Sequence, residues 1–219
     1  MTPRLRSHRP LIMGRHAAVG TNHPAATQVG LDVLRAGGNA FDATVAISLA
    51  LGVVEPHMSG LGGDGFYNVH LADGGANRVI NATGAAPTTA TPERFARGIA
   101  VTGPLSTSIP GKLAGLAMLH GKWGSRSWAT LCAPAIALAQ EGFAVTHHYR
   151  HFAAEHRAAL AADPCSRDTF LHAGEIPVAV VNECGAGMAL FQGLGGGDGA
   201  DDIAHAGAAG KDHRPAAGP

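Results

Sequence analysis

The segment that most limits what this chain can become lies between Asp42 and Glu55. From Ala43 to Val54 it is the longest apolar run, with Thr44 and Ser48 as its only polar side chains. Asn39 stands ready to cap a helix there and Pro56 to end it. A helix that is apolar on nearly every side has to be buried. It is too short for a membrane span of about 20 residues, so other elements must sheathe it in a layered core. A chain of 219 residues can do this, since domains of this size bury roughly 70% of their unfolded surface.

Other elements are readable around that helix. His23-Pro24 opens a first helix, because proline at the first helical position has its φ preset and needs no N–H partner. Ala26, Val29, Gly30, Val33 and Leu34 form its apolar face, and Gly37-Gly38 supplies a left-handed stop. Phe66–Leu71 and Arg78–Ala82 read as strands joined by a turn at Asp73-Gly74-Gly75. Helices follow over Leu113–His120, Trp128–Gln140 and His148–Ala161, with Gly142 stopping the second of these. The expectation is α+β: helix-rich, packed around at least one β-hairpin. Three regions are expected, namely a poorly ordered basic lead-in over 1–15, a folded body over 16–181, and a Gly/Ala-rich tail over 182–219. The tail has no sustained period and reads either as a disordered segment or as sequence translated in a shifted frame.

Charge narrows the classes of function. The 16 basic and 16 acidic residues cancel, which disfavours a nucleic-acid or anionic-membrane binder. No apolar stretch of about 7–15 residues follows the basic N-terminus, so no secretory signal is read and a cytoplasmic setting is expected. Cys132, Cys165 and Cys184 are odd in number and far apart, and give neither a disulfide framework nor a zinc site.

Several constellations invite chemistry. Gly60, Gly62 and Gly65 match a dinucleotide-binding glycine pattern, but a helix precedes them and a strand follows, the reverse of the order a pyrophosphate needs. A tight backbone passage into a crowded core is the better reading. His147 and His151 lie one helical turn apart beside His148 and His156, a spacing two metal ligands can use. No glutamate sits between them and no third ligand is evident, so no metal site and no cofactor is assigned. Asp42, Glu55 and Asp64 are acidic residues in apolar surroundings. Asp42 is expected to help cap the second helix, and Asp64 to accept N–H bonds from the glycine loop.

As an ordered set, several runs resemble the gamma-glutamyltransferase family. These are His23–Ala43 (HPAATQVGLDVLRAGGNAFDA), Gly52–Phe66 (GVVEPHMSGLGGDGF), Ser108–Gly115 (SIPGKLAG), Trp123-Gly124 and Pro134–Phe143 (PAIALAQEGF). The resemblance covers roughly residues 16–180. It implies part of an N-terminal nucleophile hydrolase of αββα architecture, made as a precursor and self-cleaved into a large and a small chain. In that family a threonine exposed at the small chain's N-terminus attacks a gamma-glutamyl amide, with its own α-amino group as the base. The present sequence resembles the beginning of the large chain. Thr88-Thr89 lacks the expected histidine, and Thr146-His147 follows a run that belongs to the large chain, so no catalytic residue is assigned. The family's carboxylate-binding arginine falls just after the second strand, where this chain has Thr83 in Ile80–Pro87 (INATGAAP). A threonine cannot form the bidentate charged pair that arginine makes, so the substrate-binding residues stay unassigned and a different amide is expected. The resemblance thus implies a truncated family member, inactive alone. Its alternatives are the large-chain half of a split amidase or acylase with a complementing small chain, or a non-catalytic binding module. A small-molecule amide is the expected substrate of a completed enzyme.

Overall fold

In a computed structural model of the chain, which describes residues 13–177, the apolar run is the spine. Helix α2 spans Ala40–Val54 and buries Val45, Ala46, Leu49, Ala50 and Val54. Asn39 starts it through a reciprocal capping box: its side chain accepts from the Phe41 and Asp42 amides, while Asp42 accepts from the Asn39 amide at 2.9 Å. Helix α1 (Pro24–Arg35) lies against it and ends where Gly37 turns to a φ of 80°. Gly30 is needed at this crossing, because a β-carbon there would meet the Ile47 side chain.

The hairpin pairs strand β1 (Phe66–Leu71) with β2 (Ala76–Asn81), antiparallel, with Val69 opposite Arg78 and Tyr67 opposite Ile80. Val69 and Ile80 point into the core shared with Leu49, Leu116 and Leu131. Alternation sends Phe66 and Val79 to the opposite face, where they are 66% and 64% exposed. Helices α3 (Lys112–Trp123) and α4 (Trp128–Glu141) close the core around α2. Thus the helix-rich arrangement with one hairpin is as the sequence indicates.

The C-terminal part departs from expectation. In place of one helix over 148–161 there are two, α5 (His147–Glu155) and α6 (Arg157–Ala162), and a further helix, α7 (Pro164–Phe170), follows them. His156, with φ −105° and ψ 9°, breaks the first two apart, and Asp163 caps α7 through the Ser166 amide. The strand β2 also starts two residues earlier, at Ala76, because the turn at 73–75 tightens around Gly74 and Gly75, both at positive φ. The tail over 182–219, Cys184, and most of the lead-in lie outside the described residues. No helix among the described residues is long and apolar enough to cross a membrane.

Candidate functional site

Three loops meet at the open end of the hairpin: the glycine loop (residues 59–65), the exit of β2 (residues 82–84), and the segment leading into α3 (residues 108–112). Main-chain bonds fasten them. The Gly63 carbonyl accepts from the Gly111 and Lys112 amides at 3.2 and 2.9 Å, and the Gly65 carbonyl accepts from the Ala82 amide at 2.9 Å.

Glycine is required here, but not where the sequence suggested. A β-carbon on Gly60 or Gly65 would meet nothing within 4 Å among the described residues, and one on Gly62 only the Pro110 ring at 3.9 Å, so crowding does not explain these three glycines. The close approaches are elsewhere. A β-carbon on Gly84 would collide with the Ile109 carbonyl, one on Gly111 with the Ala82 carbonyl, and one on Gly115 with Ala82 and the Tyr67 ring. Gly84 and Gly111 let backbone press on backbone, and Gly115 makes room for the Ala82 and Tyr67 side chains.

Asp64 joins the loops through its side chain. It accepts from the Gly84 amide at 3.2 Å and from the Ser108 hydroxyl, not from the glycine loop as expected. Those two donors, Ser108 first, hold its carboxyl below the ordinary aspartate range. Next to it the Thr83 hydroxyl donates to the Asn81 side chain, as does the Thr83 amide at 2.9 Å.

Sequence reasoning passed over Lys112, a charged residue opening a helix whose next turns are apolar. Its side chain is buried and its ammonium donates to the Ser48 carbonyl at 3.0 Å and the Ser59 hydroxyl at 2.8 Å. Neither acceptor is charged, and burial pushes the ammonium down to about 8. The signal available was the lysine in the apolar first turn Lys-Leu-Ala-Gly-Leu, which has to reach a polar partner beyond its helix.

The remaining sequence candidates are scattered. Asp42 is fully buried and accepts from the Ser125 amide and hydroxyl and the Arg126 amide as well as from Asn39. Burial opposes its ionisation, yet these hydrogen bonds prevail and lower its pKa. Glu55 is buried where α2 ends, and its carbonyl accepts from the Met58 and Ser59 amides. Thr146 caps α5 by accepting from the Tyr149 amide. His151 lies 3.5 Å from Glu155, and no three metal-ligating side chains gather among the described residues. His57, stacked on Phe152 with a buried and unpaired Nδ1, lines a separate apolar cavity of about 410 Å³. Burial lowers its pKa, against the pull of Glu55. Cys132 is a buried free thiol, and Cys165 an exposed one.

The fold, a hairpin backed by helices, is shared with solved N-terminal nucleophile hydrolases. The gamma-glutamyltranspeptidase of Helicobacter pylori superposes with a TM-score of 0.77 at 29% identity, over 89% of this chain and 60% of that one. A cephalosporin acylase from Bacillus halodurans gives 0.72 at 28%, over 94% and 40%. The gamma-glutamyltranspeptidase family model matches residues 26–181, and the chain belongs to that family. Among curated relatives, the glutathione hydrolase proenzyme of Bacillus subtilis strain 168 is 38% identical over 176 residues, 77% of this chain and 30% of that protein. Mouse glutathione hydrolase 7 is 37% identical over 164 residues, 75% of this chain and 25% of that protein. The chain therefore spans less than a third of the length of these relatives.

Proposed function

We propose that this chain forms the scaffold and acyl-binding side of an amide hydrolase or acyltransferase. The nucleophile is a threonine at the N-terminus of a complementing small chain, and residues 13–177 do not turn over amides alone. The observation that carries this reading is the loop junction around Asp64, Gly84 and Ser108, set at the end of a hairpin whose outer face bears exposed Phe66 and Val79. Such a face suits a second sheet, packed about 10 Å away, that would bring the threonine over the junction. The threonine hydroxyl adds to the amide carbonyl as its proton passes to the α-amino group. That proton then leaves with the departing amine, and water or a second amine releases the acyl group.

The test is co-expression of the 219-residue chain with the small chain of a family relative, assayed with a chromogenic gamma-glutamyl anilide and a hexanoyl anilide. Co-purification, with anilide cleavage that depends on the small chain's threonine, is the expected result. Cleavage by the isolated 219-residue chain would overturn the assignment, as would a failure of the two chains to associate.

A further inference from the structure

A cavity of about 500 Å³ adjoins the loop junction. One wall is the exit of β2 from Gly84 to Pro87. The other walls are formed by Phe95, Ile99, Leu105 and the stretch Ser106–Ile109. The volume falls within the range of small-molecule sites. Ile99, Leu105 and Ile109 are exposed and line it, which leaves apolar surface facing this space.

We propose, resting on the hydrolase reading above, that this cavity takes an uncharged acyl group with an apolar end and selects against a zwitterionic glutamyl group. Among the described residues no lysine or arginine lines the cavity. Arg78 directs its guanidinium to the Asn77 carbonyl at 3.0 Å. Lys112 reaches the junction only through its backbone, its ammonium being tied to Ser48 and Ser59. Arg94 and Arg97 flank Phe95 in sequence but are exposed and do not line the cavity.

The charge that does lie at the junction is negative. Asp64 stands behind Ser108, engaging its hydroxyl. Asp64 does not itself line the cavity, but a substrate carboxylate bound beside Ser108 would have that anion behind the hydroxyl and would lose water without gaining a cation, a costly exchange. A hydrocarbon end would instead cover Ile99, Leu105 and Ile109, each buried methylene contributing about 0.8 kcal/mol.

The experiment uses the 219-residue chain, isotope-labelled for amide resonances and titrated separately with hexanamide and with gamma-glutamyl methylamide. Hexanamide is expected to move the Phe95, Ile99, Ser108 and Ile109 signals saturably, with at least tenfold higher affinity than the glutamyl compound. Ile99→Asp, a change at an exposed side chain, is expected to weaken hexanamide at least fivefold. Equal or tighter binding of the glutamyl compound at these signals overturns the proposal, and its loss in an Arg94→Ala/Arg97→Ala double variant would name the cations responsible. Signals unmoved by hexanamide also overturn it. The two readings fail separately. If the chains do not associate but hexanamide titrates as expected, the catalytic assignment falls and the ligand class stands. If the assembled pair cleaves the glutamyl anilide in preference to the hexanoyl anilide, the ligand class falls and the catalytic assignment stands.

Discussion

Lys112 places an ammonium where water is scarce, and the two oxygens that receive it are both uncharged. Its native pKa of about 8 lies below the ordinary 10.5. Between those values the unfolded chain holds a proton that the native chain gives up, so stability rises with pH across that window. From pH 7.5 to 9 this group should add roughly 1 kcal/mol to the unfolding free energy. Lys112→Met should lack the rise, as read by urea denaturation of both chains at each pH and comparison of their difference. The window stops at 9 because burial pushes the Cys132 thiol up to about 11, which offsets the rise once unfolded thiols ionise. The sequence announced Lys112 only by its type. Its partners lie 53 and 64 residues away, and no local pattern encodes a contact at that range.

Among the elements, α2 is held by its first turn as well as by its buried apolar side chains. Asp42 ties that turn to the loop before α4 through Ser125 and Arg126, across more than 80 residues. Asp42→Ala would strand several buried donors and should cost about 3 kcal/mol, with α4 losing amide protection in hydrogen exchange together with α2. Asp42→Asn should restore part of the loss. The capping box was readable from Asn39 and Asp42 because capping is a matter of spacing within one turn. The tie to Ser125 was not, for it depends on how α3 brings the chain back. Periodicity likewise located α1 to α4 and the hairpin, whose apolar faces are long enough to show. It merged α5 and α6, where a run of histidines and alanines offers no clear period. It also missed α7, although Asp163-Pro164 carries both a cap and a favoured first residue.

At the scale of the molecule, the outer hairpin face makes the isolated chain prone to self-association. Phe66 and Val79 lie on that face and Met58 is also exposed, so apolar surface is left toward water. A Phe66→Ser/Val79→Thr double variant should shift the sedimentation profile toward monomer at micromolar concentration, and should weaken capture of a small chain in the co-expression assay. The family was legible because its runs recur in order along the sequence. The charge environment of the cavity was only half legible: Thr83 and Asp64 both stood out, whereas Asp64's partners, Gly84 and Ser108, came to light once the β2 exit and the α3 approach were seen to share it. The contacts of Gly84 with Ile109 and of Gly111 with Ala82 carry one more implication. The junction takes its shape from main chain, so the side chains around it can be exchanged without redrawing the path of the polypeptide. Selectivity in such a scaffold can be rewritten by a few codons while the frame that presents it is inherited intact.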